Sequence, residues 1–204
     1  MLFEDTYQTI ELPSEGIFRD RGSKFIAYAY PIKTEDEVKE WLQKLKKEHP
    51  TARHYCYAWR LGLDRTVFRA NDDGEPSGSA GRPILNVLLS KDLTNIVVFV
   101  VRYFGGTLLG VPGLINAYKT ATVEALNNTK VIQRTVNDTY RIDFEYLQMN
   151  DVMKVMKDDS VVILIQHFDN SCTIEFELKK SEINRIIGKL EDIESIKIQY
   201  LRTV

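Results

Sequence analysis

The chain has 204 residues, 44% of them hydrophobic, and 27 Lys and Arg against 29 Asp and Glu give a net charge of −2. That is ordinary for one large or two small globular domains. No apolar run approaches the roughly 20 residues of a membrane span, and acids near Met1 without a basic segment argue against a secretory leader; the expectation is a cytoplasmic protein with no membrane partner, its cysteines, Cys56 and Cys172, reduced and buried.

Residues 9–12 and 24–32 read as strands. Thr34 with Glu37 three positions on predicts a capping box for a helix to about residue 48, with Val38, Trp41, Leu42 and Leu45 on its apolar face and Pro50 as its stop. Residues 54–61 and 66–70 read as strands around a turn at Gly62, followed by a polar glycine loop and a short helix over 83–89 with Pro83 in its first turn. The β-branched run 95–101 predicts a central strand, 113–126 a long helix, and 131–135 a strand before a domain boundary.

The rest alternates more plainly. Residues 139–146 read as a strand and 151–157, after Asn150, as a helix. Residues 161–165 and 172–178 read as a hairpin turning at Asp169-Asn170. Ser181 is placed to cap a helix over 182–190, with Ile183, Ile186, Ile187 and Leu190 on one face, and 195–201 closes as a strand. The fold class is therefore α+β in both parts, residues 1–135 and residues 136–204, and the order βαββαβ in the second is the ferredoxin-like plan.

Seven of the 11 glycines lie between Gly74 and Gly113. They fall in two stretches, Asp72-Asp73-Gly74-Glu75-Pro76-Ser77-Gly78-Ser79-Ala80-Gly81-Arg82-Pro83 and Arg102-Tyr103-Phe104-Gly105-Gly106-Thr107-Leu108-Leu109-Gly110-Val111-Pro112-Gly113. Each follows a strand and leads into a helix, where backbone amides accept anions. Ser77 and Ser79 offer hydroxyls, and Arg82 and Arg102 bidentate phosphate contacts. The candidate anion or ligand site is thus Asp72, Asp73, Glu75, Ser77, Gly78, Ser79, Gly81, Arg82, Arg102, Gly105 and Gly106. The rival reading is two structural loops, compact because glycine is required. Neither loop has Walker or Rossmann spacing. The acids Asp72, Asp73 and Glu75 beside an anion site either pair with Arg82, Arg69 or Arg102 or hold Mg²⁺ against phosphate; the first is favoured, and no metal and no cofactor are expected.

His54 and Cys56 share one face of a strand, and Tyr55, Tyr57 and Trp59 the other. A Cys–His pair needs a third orienting group and zinc needs about four ligands, so core packing or surface hydrogen bonding is preferred for His54 and Cys56; the three aromatics read as a base-stacking platform or, preferred, as core packing, and no catalytic residue is assigned. Residues 1–135 carry 18 basic against 16 acidic side chains, and residues 136–204 carry 9 against 13. A nucleic-acid surface would belong to the first part, with Lys24, Arg53, Arg82 and Arg102 as its phosphate contacts.

With those stretches in view, and with Ser23-Lys24-Phe25-Ile26-Ala27 and Ala52-Arg53-His54-Tyr55-Cys56-Tyr57-Ala58, the chain resembles the YigZ/IMPACT family over roughly residues 15–130. A C-terminal ferredoxin-like domain resembles the bacterial YigZ branch. The resemblance implies an N-terminal domain with the fold of ribosomal protein S5 domain 2. It implies a role with RNA, the ribosome or a translation factor, since the eukaryotic relatives regulate translation; their kinase-activator and actin partners do not carry over to this domain layout. Where the family commonly reads Leu-Gly-Thr-Gly-Gly-Leu and a basic residue, this chain has Leu109-Gly110-Val111-Pro112-Gly113-Leu114-Ile115. The lead expectation is a non-enzymatic binder acting in translation. The alternatives are an enzyme on a small phosphorylated or nucleotide-like ligand held by loop 72–83, and a protein-interaction module.

Overall fold

The computed structural model describes residues 6–63, 65–169 and 171–203. Among them, eleven strands and five α-helices follow one another: β1 (Thr6–Ile10), β2 (Ser14–Asp20), β3 (Ser23–Pro31), α1 (Glu35–Glu48), β4 (His54–Leu61), β5 (Val67–Asn71), α2 (Gly81–Ser90), β6 (Ile96–Tyr103), α3 (Gly110–Asn127), β7 (Val131–Thr135), β8 (Asn137–Phe144), α4 (Met149–Met156), β9 (Val161–Phe168), β10 (Cys172–Lys179), α5 (Ile183–Glu191) and β11 (Lys197–Thr203). The architecture is mixed α and β. Among the described residues, one compact unit spans Gln8–Arg134, and the other takes in the residues from Thr135 to Thr203 together with Thr6 and Tyr7. Among the described residues no helix is long and apolar enough to cross a membrane.

In the first unit an antiparallel sheet runs β2-β3-β6-β4-β5. β6 is central, as its β-branched sequence predicts, and it is buried on both faces. On one face Phe25, Ala27, Ala29, Cys56, Ala58, Val98 and Val100 pack against Ile84 and Leu88 of α2 and Ala117, Tyr118 and Ala121 of α3. On the other, Tyr30, Trp59, Leu61, Val97 and Phe99 pack against Val38 and Leu45 of α1, and Tyr30 stacks on Trp41 at 3.8 Å. α1 carries the capping box at Thr34 and Glu37 that the spacing predicts.

β2 is an element the sequence pattern hides. Residues 14–20 hold Gly16 among polar side chains and do not alternate cleanly. Their order comes from pairing with β3 along the whole strand and from α3 lying close over Gly16, where a Cβ would come within 2.1 Å of the Ala125 backbone nitrogen. α2 and α3 also begin earlier than the sequence suggests, at Gly81 and Gly110.

The second unit follows β8-α4-β9-β10-α5-β11, with an antiparallel sheet in the order β11-β8-β10-β9. Ile142, Phe144, Ile174, Phe176 and Leu178 bury one sheet face with Val152, Met156, Ile186 and Leu190. Ser181 does not cap α5. A 3₁₀ turn over Lys180–Glu182 leads into the helix, which therefore starts at Ile183 without a side-chain cap bond. Of the expected turn residues, Asp169 is described and Asn170 lies outside the described residues.

Candidate functional site

Loop 72–83 is closed by its own carboxylate. Asp72 Oδ1 accepts the N–H groups of Ala80 and Gly81 at 3.1 and 2.8 Å, and Oδ2 accepts that of Gly78 at 2.9 Å. The residue at the α2 N-cap is Ala80, which has no capping group. Asp72 fills that role from outside the helix, with a full negative charge at the positive end of the helix. The amides of Gly78, Ala80 and Gly81 thus gather around a carboxylate of the chain itself. Ser79 is fully buried and donates to the carbonyl of Pro76 at 2.6 Å, tightening the same turn. Ser77 is exposed.

Asp73 takes positive φ, 42°, a conformation Asp tolerates through its short polar side chain. Its carboxylate accepts the Tyr55 N–H at 2.6 Å, and its carbonyl lies 2.8 Å from His54 Nδ1. A carbonyl only accepts, so His54 Nδ1 donates to it, and Nε2 lies 3.9 Å from Glu75 Oε1.

Glu75 is at the centre of a buried polar group. Its Oε1 accepts from Arg102 Nη1 at 2.5 Å and from the Tyr118 hydroxyl at 2.8 Å. The guanidinium of Arg102 also lies over the rings of Phe25 and Phe104, at 5.4 and 5.6 Å. Strand register explains the meeting. His54 and Phe25 both lie opposite Arg102 across β6, while Tyr118 comes from the face of α3 that packs on the sheet. The Cys56 thiol is 3.0 Å from the Asp72 carbonyl and 3.3 Å from the Tyr118 hydroxyl. Burial pushes the Cys56 thiol far above its ordinary range. Burial, with Cys56 and Glu75 alongside, does the same to Tyr118. Both stay protonated in the folded chain, which suits structural hydrogen bonding and not nucleophilic attack.

The acids thus divide between internal partners: Asp72 with amides, Asp73 with a strand N–H, Glu75 with Arg102. Among the described residues no three His, Cys, Asp or Glu side chains converge as metal ligands. The glycines of the second loop have separate duties. Gly105 meets the β2–β3 turn, where a Cβ would lie 1.9 Å from the carbonyl carbon of Gly22, and its N–H reaches Ser23 Oγ at 3.1 Å. Gly106 has open space around it and a φ of 86°.

The four proposed phosphate contacts do not assemble. Arg102 is 5% exposed and engaged with Glu75. By strand alternation Lys24 points to the α1 face, away from Arg102, since Phe25 and Ala27 hold the other face. Arg53 is exposed just before β4, and Arg82 is exposed on α2.

Arg82 instead lines a groove of about 440 Å³ between α2 and α3, with Asn86, Val87 and Ser90 on one side and Ile115 and Lys119 on the other. Sequence reasoning singled out Arg82 but missed Ile115 and Lys119. Their i, i+4 spacing on a predicted helix was the available signal, and without the α2 contact it reads as ordinary surface.

Residues 21–126 match the Impact N-terminal domain. The chain is 33% identical to the IMPACT family member YvyE of Bacillus subtilis, over 88% of this chain and 82% of that one. It is 30% identical to the IMPACT family member YigZ of Escherichia coli, over 89% and 90%. The crystal structure of a hypothetical protein superposes with a TM-score of 0.71 at 27% identity, covering 98% of both chains. With its N-terminal half matching the family's domain and relatives 30–33% identical along most of its length, the chain belongs to the IMPACT family.

Proposed function

We propose that this chain is a cytoplasmic, non-enzymatic regulator of translation that works by binding a protein of the translation apparatus, a translation factor or a ribosomal protein. Family membership along most of the chain carries the proposal, because the resemblance brings in relatives that regulate translation. The sheet order β2-β3-β6-β4-β5 supports an S5 domain 2-like first domain over residues 1–135. The order β11-β8-β10-β9 with two helices on one face supports a ferredoxin-like second domain over 136–204. Folds of this kind host many functions, so the site geometry has to choose among partners.

Three observations favour a protein partner. Loop 72–83 uses its amides on Asp72, which leaves little of the phosphate cradle an enzyme on a phosphorylated ligand would need. Lys24, Arg53, Arg82 and Arg102 do not form one basic surface, as RNA contact would require. Leu108, Val111 and Ile115 expose an apolar stripe at the start of α3, with Leu108 at 82%, and such a stripe suits protein contact.

The test is co-sedimentation of the full chain with ribosomes and translation factors from a cleared lysate, with and without nuclease, alongside translation of a reporter. Association that survives nuclease and a change in reporter output are expected. Association abolished by nuclease would transfer the proposal to RNA, and an inert protein in both assays would end it.

A further inference from the structure

We infer that the groove between α2 and α3 is a docking site for an acidic, amphipathic segment of a partner protein. This rests on the proposed role above only for the biological identity of the partner; the groove itself argues for its chemistry.

Two helical rows face each other across the groove. Arg82, Asn86 and Ser90 lie four residues apart on α2; Val111, Ile115 and Lys119 lie four apart on α3. Residues at that spacing form a continuous stripe on one helix face. Arg82, Ile115 and Lys119 line the groove together, over a floor that includes the buried Val87. Leu108 and Val111 extend the apolar row beyond it.

The charges are unbalanced in one direction. Arg82 and Lys119 have no side-chain hydrogen bond or ion pair among the described residues, and no acidic side chain lines the groove there. Elsewhere in this unit cations find partners readily: Arg60 and Arg65 both reach Asp92, and Arg102 holds Glu75. The acids of the loop before α2 are committed elsewhere: Asp72 to amides, Asp73 to the Tyr55 N–H and Glu75 to Arg102. The groove therefore presents two cations around apolar side chains, with no partner for them among the described residues.

That combination selects its occupant. A nucleic acid would want a longer basic track and aromatic surfaces for its bases, and no aromatic residue lines this groove. A segment with two or three apolar side chains and flanking carboxylates matches both features, in the manner of an amphipathic helix laid in an apolar groove. About 440 Å³ accommodates a few such side chains. The two carboxylates would gain their partners at the cations, which sets orientation and speeds encounter at low salt.

The experiment uses the full-length chain and three fluorescent probes at low salt. One is a 16-residue amphipathic peptide with Leu on one face and Glu flanking it, the second is its counterpart with Lys for every Glu, and the third is a 16-nucleotide single-stranded RNA. The acidic peptide should bind, and the basic peptide and the RNA should bind at least ten-fold more weakly. R82E/K119E should weaken the acidic peptide by at least ten-fold and favour the basic one; both positions are exposed, and circular dichroism confirms that the variant is folded. I115D should also weaken the acidic peptide while leaving the cations in place. Equal binding of both peptides, a preference for RNA, concentration-dependent self-association that R82E/K119E abolishes, or an acidic probe that does not bind would overturn the assignment. Lysate association retained by R82E/K119E would also overturn the groove while leaving the translation role standing. Peptide binding by a chain that is inert in translation would do the reverse.

Discussion

Asp72 Oδ1 accepts the N–H of Gly81 at 2.8 Å, so a loop acid nine residues upstream caps the helix that the loop leads into. Gly81 is fixed in that place by a second contact: a Cβ there would lie 2.6 Å from the backbone nitrogen of Asn71, the last residue of β5. Strand end, loop and helix start are therefore one unit. D72A removes a charged acceptor from three amides and should cost about 2–3 kcal/mol, read as a lower urea midpoint. It should also vacate an anion site, so that phosphate stabilises D72A and not the wild type. R82A, on the exposed side of the same helix, should leave the midpoint nearly unchanged. Equal phosphate stabilisation of the wild type would show that the amides of Gly78, Ala80 and Gly81 remain available to outside anions.

The Glu75–Arg102 pair is buried at both ends, with side chains 4% and 6% exposed. Removing one partner strands the other, so R102A should cost about 3–5 kcal/mol. E75L/R102M replaces both charges by apolar groups and should recover much of that loss. A double variant no more stable than R102A would mean that Tyr118 and His54, left without Glu75, account for the damage.

These two relationships mark where sequence was legible and where it was not. The capping box of α1, the central strand β6 and the βαββαβ order after residue 136 follow from patterns a few residues long, and such patterns survive in the structure. β2 escaped because its order comes from its neighbours β3 and α3 rather than from its own alternation. At the site, the glycine spacing suggests amides open to an outside anion, whereas the path of the chain between β5 and α2 brings Asp72 onto them. Arg102 reads from the sequence both as a phosphate ligand and as one of three possible partners for the loop acids, and only the fold, which sets Glu75 beside it, selects the second. Val111 and Ile115 are both exposed and carry the apolar row that runs into the groove.

Neighbouring glycines in the second loop should respond differently. G105A sets a methyl against the backbone of Gly22 and Ser23, at 1.9 and 2.2 Å, and neither backbone can yield without disturbing the β2–β3 turn. It should cost about 3 kcal/mol or more, within the range of severe steric substitutions. G106A meets no atom within 4 Å but holds a φ of 86°, so only the left-handed penalty of about 1–2 kcal/mol applies. Thermal midpoints of the two variants check the ranking, and a G106A as unstable as G105A would mean that conformation, and not close approach, governs this loop.

The second unit carries an acid-sensitive contact. Asp158 accepts from Arg185 Nη1 and Nη2 at 2.6 and 2.9 Å and from the Ser160 hydroxyl and N–H at 2.8 and 3.2 Å, with Lys189 3.4 Å away. The Arg185 hydrogen bonds, then those of Ser160, hold its carboxyl well below the ordinary value of 3.8. A carboxyl depressed in the folded state stabilises above its unfolded value and loses that contribution as pH falls through the folded one. Relative to D158N, the wild type should therefore be more stable at pH 7, and the gap should begin to close near pH 4 and continue closing at lower pH. Arg185 is partly solvent-exposed, so the gap should also narrow with added salt. Urea midpoints of the two full-length proteins from pH 7 to 2.5 measure it. A gap that stays constant across that range would mean that Asp158 acts through turn geometry with Ser160, with no net contribution from its charge.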